Sequence, residues 1–161
     1  MKTLRVISAV PGAPDLQIGD SVTLPGAEAR VFEQYGAEVM YVDGREEHLA
    51  EVRRRMPKAW TVWADVEHDE FPCYASLVLC LGLIYHVADP AALFRKIAKM
   101  TDRVVVETTA LDHDGECIVF LDEPTEVKQF SVTGKACRTS PGWVVRELKN
   151  AGFEHVRDAS D

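Results

Sequence analysis

"ASLVLCLGLIYHVADP", residues 75–90, decides how the rest of the chain is read. Between Leu77 and Val87 it is apolar almost without a break, with Gly82 inside the run. A strand with one wet face would alternate apolar and polar residues. A continuous run of this kind is the pattern of a strand buried on both faces of a parallel sheet. Asp89 and Pro90 then supply an N-cap and a first helical residue, because the carboxylate accepts from free N–H groups and proline has none to lose. The helix they open, "PAALFRKIAKMT", carries Leu93, Ile97 and Met100 on one face.

The same alternation continues in both directions. Upstream, "APDLQIGD" (13–20) predicts a short strand ending at Gly19, and residues 25–35 a helix with Pro25 in its first turn. Ala27, Val31, Phe32 and Tyr35 form its apolar stripe, and Gly36 ends it. "AEVMYVDG" (37–44) reads as a buried strand ending at Asp43. "REEHLAEVRRRM" (45–56) reads as a helix through Leu49, Val52 and Met56 that stops before Pro57. "AWTVWADV" (59–66) is a third strand and "DRVVVETT" (102–109) a fifth. Ala110 to Thr139 shows no clear period and reads as an irregular excursion, long enough to suggest a functional lid. Ser140 and Pro141 open a last helix over "GWVVRELKNAGF", with Val144, Val145, Leu148 and Ala151 facing the core and Gly152 as its stop. "FEHVRD" (153–158) predicts a final strand. Strands separated by helices imply an α/β fold with a doubly wound, mainly parallel sheet, in a single domain over residues 1–161.

Composition narrows the function classes. A chain of 161 residues buries enough surface to need no disulfide or metal staple. The four cysteines, Cys73, Cys80, Cys117 and Cys137, form neither a CxxC pair nor a zinc-spaced cluster, and are read as buried free thiols with no metal site. A formal net charge of -8 argues against a nucleic-acid partner, whose phosphates demand Lys and Arg. The one cationic cluster, Arg53-Arg54-Arg55, is flanked by Glu46, Glu47 and Glu51 at helical spacing, as on a solvated, ion-paired face. No apolar run reaches the roughly 20 residues that span a bilayer. Pro11, Pro14 and Asp15 interrupt the amino-terminal apolar stretch before a signal-peptide core is complete, so a cytoplasmic protein is expected.

In a parallel α/β sheet, ligands bind beyond the carboxyl ends of the strands. That places Gly19 to Thr23, Asp43, Asp65, Gly82 to His86 and Thr108 onward at the site. Asp43 can accept both hydroxyls of a ribose, or can simply be a turn residue before Gly44. Asp65 can accept from an adenine amino group, or cap a local turn. Gly82 lets backbone approach a ligand, with Tyr85 and His86 at the mouth.

The segment "LGLIYHVADP" resembles the "LGxLYH...P" segment of class I S-adenosylmethionine-dependent methyltransferases. The likeness extends from about Gln17 to the end through "GAEVMYVDGREEHL", "WADV", "RVVVETT" and "GKACRTSPGWVVRELKNAGFEHV". The resemblance implies a Rossmann-like methyltransferase fold, trimmed of its terminal antiparallel hairpin, with S-adenosylmethionine as cofactor and S-adenosylhomocysteine as product. Carried over by position, it implies that Gln17 and Gly19 belong to the cofactor loop, Gly19 against the methionine part. Asp43 would hold the ribose hydroxyls, Asp65 and Val66 border the adenine, and Leu81 and Gly82 line the floor beneath the sulfonium. His86 would face a small-molecule methyl acceptor, where a neutral imidazole can take a proton from a hydroxyl or carbon acid near neutral pH.

The family's acid-x-Gly-x-Gly-x-Gly stretch is reduced here: Gln17 stands at the acidic position and only Gly19 is kept. That departure raises a second reading, a non-catalytic methyltransferase-fold domain acting as a binding or regulatory subunit. A nicotinamide-dependent reductase is a weaker third, since there is no GxGxxG and Tyr85 is followed four residues on by Asp89, not Lys. His113, Lys128, Lys135 and Arg138 in the excursion are further candidates for contact with an acceptor. A domain without its covering helices also leaves room for a homodimer.

Overall fold

The computed structural model describes residues 2–7, 32, 34–71, 73–127 and 130–158. Gln17 and Gly19, the strand expected over 13–20 and all but residues 32, 34 and 35 of the helix expected over 25–35 lie outside the described residues. The chain divides into two compact units, one of Met1–Ala9 with Glu70–Asp161 and the other of Val10–Asp69.

In the smaller unit, β2 (Met40–Asp43) and β3 (Trp60–Trp63) pair in parallel, Asp43 opposite Trp63, and α1 (Glu46–Arg55) connects them. Leu49 and Val52 of α1 are buried with Tyr41 of β2, and Val39, Met56 and Ala59 pack against them. The expected helix stop at Gly36 is present: Gly36 has φ 84°, and the Ala37 N–H reaches back to the Phe32 carbonyl at 3.1 Å. The solvated face of α1 is ion-paired, with Arg54 and Arg55 both on Glu51 and Arg53 on Glu46. The Arg53 guanidinium also donates to Thr61 Oγ1 at 2.9 Å.

The larger unit is built on β5 (Val104–Ala110), whose residues alternate buried and half-buried. β4 (Val78–Leu81) runs parallel beside it, Val78 opposite Val104. β1 (Lys2–Ile7), a strand not among those expected from the sequence, runs antiparallel to it, Lys2 opposite Ala110. α2 (Pro90–Ala98) and α3 (Pro141–Ala151) contribute Leu93, Phe94, Ile97, Val144 and Leu148 to the core, and the Phe94 and Trp143 rings meet at 6.4 Å. Both caps form as expected. Asp89 Oδ1 accepts from Ala92 N–H at 2.8 Å, Ser140 Oγ from Trp143 N–H at 3.3 Å, and Gly152 closes α3 at φ 112°. No helix among the described residues is long and apolar enough to cross a membrane.

Three expectations are corrected. The apolar run after Leu81 does not stay extended: Gly82 turns at φ 65° and Ile84–His86 form a 3₁₀ turn. Residues 110–139 are not irregular throughout, because β6 (Ile118–Asp122) and β7 (Lys135–Thr139) pair antiparallel, Ile118 opposite Thr139. β7 in turn meets β5 in parallel at Ala110 and Thr139. This hairpin precedes α3. The strand expected over 153–158 is absent, with only a single bridge residue at Asp158. There Phe153 is buried and its N–H caps α3 on the Leu148 carbonyl at 3.1 Å, so the segment closes a helix. Among the described residues the pairings are three parallel and two antiparallel over a five-stranded and a two-stranded sheet, in keeping with a mainly parallel α/β arrangement. All four cysteines are free, but only Cys80 and Cys137 are buried; Cys73 and Cys117 are half-buried. Burial pushes the Cys80 thiol up to about 12, which leaves it an inert apolar filler.

Candidate active site

In the smaller unit, parallel pairing brings the two acids to the same end of β2 and β3. The Ala64 N–H donates to the Asp43 carbonyl at 3.2 Å, which ties the exits of the two strands together. The Asp43 carboxylate is fixed from both sides: Oδ1 accepts the Arg45 N–H at 2.8 Å, and Oδ2 lies 3.1 Å from His48 Nδ1. Its side chain remains 36% exposed. Asp65 opens a tight turn, with Oδ1 accepting the Glu67 N–H at 2.9 Å and Oδ2 2.8 Å from His68 Nδ1. Burial alone would raise the Asp65 pKa, but the bonds from His68 and the Glu67 N–H outweigh it and hold the carboxyl below its usual range. Val66 is half-buried in the same turn. Each acid thus has a histidine partner that the sequence reading missed, although the spacings Asp43–His48 and Asp65–His68 were visible.

In the larger unit, the Gly82 N–H extends the β4–β5 ladder onto the Glu107 carbonyl at 3.0 Å, just before the chain turns. A Cβ built on Gly82 would stand 3.4 Å from the Tyr85 hydroxyl, so the glycine sets how closely that phenol approaches the backbone after Leu81. Ile84, wholly buried, anchors the 3₁₀ turn, and Tyr85 and His86 follow it with their rings 4.3 Å apart. Burial, followed by the Glu107 charge, raises the Tyr85 pKa and keeps the phenol protonated.

His86 is the centre of a group drawn largely from the β6–β7 hairpin. Its Nδ1 lies 2.7 Å from Glu123 Oε2, and the Phe130 ring is 6.3 Å away. Glu123, only 7% exposed, also accepts the Ser131 N–H at 2.9 Å and faces Arg138 Nη2 at 3.6 Å. Arg138 Nη1 donates to the Cys137 and Tyr85 carbonyls at 2.7 and 3.2 Å, and its guanidinium sits 5.3 Å from the Tyr85 ring centroid. Of the excursion's other candidates, His113 accepts the N–H of Gly115 in a local turn and Lys135 pairs with Asp122 on the surface. Lys128 lies outside the described residues. Glu123 and its link to His86 were missed, because 37 residues of chain separate the two and neither spacing nor period marks the pair.

Each unit thus sets polar side chains at the exits of its parallel strands, and comparison with known proteins bears on the family to which such a chain belongs. Residues 20–103 match the family described as methyltransferase domain. The chain belongs to that family. Its fold is the Rossmann-like one of class I methyltransferases. Among solved structures it is similar to the N-terminal domain of EvdMO1 with SAH bound, at 26% identity and a TM-score of 0.69 over 82% of this chain and 62% of that one. The same EvdMO1 domain in the presence of SAH and D-fucose gives 26% and 0.70, over 82% and 64%. An S-adenosylmethionine-dependent methyltransferase from Mesorhizobium loti shares the fold at 16% identity and a TM-score of 0.55, over 79% of this chain and 68% of that one. The chain spans somewhat over three fifths of the EvdMO1 domain. No curated protein matches the sequence.

Proposed function

We propose that this chain transfers a methyl group from S-adenosylmethionine to a hydroxyl of a small polar acceptor of the sugar class. The observation that carries the reading is the position of His86, on the turn directly after β4 and Gly82, with Nε2 unbonded among the described residues. The residues fit the cofactor. Each oxygen of Asp43 already holds one donor, and a carboxylate oxygen accepts two, so one lone pair on each remains for the two ribose hydroxyls. Asp65 and Val66 would border the base, and Leu81 and Gly82 would lie beneath the reacting end.

When bound, the cofactor would supply an electrophilic methyl group, and the work left to the chain is to hold the acceptor hydroxyl in line with it and to take its proton. His86 Nε2 takes the hydroxyl proton and later returns it to water. Tyr85, kept protonated, offers a hydrogen bond to a second oxygen of a polyol. Support for a sugar comes from the EvdMO1 domain studied with D-fucose, and the acidic net charge of -8 disfavours a nucleic-acid acceptor.

Calorimetry with S-adenosylhomocysteine, followed by labelled-methyl transfer to a panel of monosaccharides with tRNA as control, tests the reading. Binding and label on a monosaccharide hydroxyl are expected. No binding at millimolar concentration would overturn it in favour of a non-catalytic domain.

A further inference from the structure

We propose that Glu123 is a positioning residue for this site, acting through His86: it accepts the Nδ1 proton and thereby presents the Nε2 lone pair to the acceptor. The inference rests on reading His86 as the base. An ionised carboxylate can only accept, so the 2.7 Å contact from Oε2 requires a proton on Nδ1, and of the two neutral tautomers it selects the one whose lone pair is on Nε2. Besides His86 itself, two groups keep Glu123 ionised. Ser131 N–H donates to the same oxygen at 2.9 Å, and Arg138 Nη2 stands 3.6 Å from the other. The charged or titratable groups around the ring are thus Glu123, Arg138 and Tyr85, with Glu107 behind Tyr85.

The arrangement is costly unless it is used. A carboxylate 7% exposed forfeits much of its hydration, and a hairpin strand, a backbone N–H and an arginine are all directed at keeping it. A histidine needed only for packing would not require a fixed tautomer. A base does, because with the proton on Nε2 the ring would present a donor, not an acceptor, to the hydroxyl it must deprotonate. The β6–β7 hairpin is therefore part of the catalytic apparatus: it carries Glu123 at the end of β6, Arg138 within β7, and Ser131 in the loop between them.

The test is nitrogen-15 NMR of the full chain labelled at histidine, with His86 assigned among the five histidines by its loss in His86→Gln. In the wild type at neutral pH, the Nδ1-protonated tautomer is expected, with a slowly exchanging ring proton. Glu123→Leu fills similar space without an acceptor and should shift the ring to a mixture of tautomers, whereas Glu123→Gln, which retains a carbonyl, should restore Nδ1–H. A wild-type ring protonated at Nε2 overturns the proposal, and so does a folded Glu123→Leu with the wild-type signature. If Glu123→Leu does not fold, the wild-type tautomer alone decides. Calorimetry with S-adenosylhomocysteine on the same sample reports separately on the cofactor reading, so the two can fail independently.

Discussion

Asp43→Ala gives the sharpest test of how the cofactor is held. In the structure the carboxylate is pinned by the Arg45 N–H at 2.8 Å and by His48 at 3.1 Å, at the end of β2. Two ribose hydroxyls would each form a hydrogen bond to a charged acceptor, about 1.5–3 kcal/mol apiece when well desolvated. The side chain is 36% exposed, so water competes for it, and about 2 kcal/mol for the pair is the appropriate net. At 1.4 kcal/mol per decade that is roughly a 30-fold rise in Kd for S-adenosylhomocysteine, measured by titration calorimetry at fixed salt and pH. Loss of the Arg45 contact should cost about 1 kcal/mol of stability and lower Tm by about 2–4 °C, which a parallel melt would detect. Asp43→Asn keeps one acceptor and should fall between, near 10-fold. A folded Asp43→Ala with Kd within twofold of wild type would refute the reasoning, and the ribose would have to be held elsewhere.

Three further outcomes follow from the geometry. Gly82→Ala puts a side chain at φ 65° and against the Tyr85 hydroxyl, so it should cost about 1–2 kcal/mol and lower Tm by roughly 2–8 °C; an unchanged melt would mean the turn relaxes freely. Burial would raise the Glu123 pKa, but the Ser131 N–H, His86 and Arg138 together hold it below its ordinary 4.5. Its stabilising contribution is therefore full above about pH 4.5 and is lost as pH falls through the folded-state value, so Glu123→Gln should flatten the acid limb of a denaturation series. Parallel acid limbs in variant and wild type would contradict this. Thr139 Oγ1 is buried without a partner among the described residues, so Thr139→Val should be neutral or raise stability by about 1 kcal/mol in urea unfolding, and a loss of that size would reveal a bond the hydroxyl makes.

What could be read from the sequence follows the range of the interactions that hold each part. Caps and stops act within one helical turn, so Asp89, Ser140, Gly36 and Gly152 were legible as punctuation and all four are used. The periods of α1, α2 and α3 picked out Leu49, Val52, Leu93, Ile97, Val144 and Leu148, all buried, but missed Phe94 and Trp143 and took in Met56, Met100, Val145 and Ala151, which are only half-buried. β6 was missed because its signal is ambiguous at close range. "IVFL" is apolar throughout, yet Val119, Phe120 and Leu121 are all exposed on this edge strand, so no alternation marked it. β1 lies about a hundred residues from its partner β5, and nothing local to "KTLRVI" requires that pairing.

The candidate site divides along the same line. The positions of Asp43, Asp65 and His86 at or just beyond a strand end could be read locally, because strand ends can be. Their partners separate by reach. His48 and His68 lie five and three residues from their acids, within one turn of chain, and a search for such pairs would have found them. Glu123 meets His86 only because β7 aligns with β5 at Ala110 and carries β6 beside it. Three pairings, β4 with β5, β5 with β7 and β7 with β6, must form before that carboxylate has anything to orient, so its role belongs to the fold, not to any stretch of residues. The same dependence makes His86 sensitive to distant change: a substitution that loosens the hairpin, such as a proline within β6, should alter the ring's tautomer without touching the β4 turn that holds it.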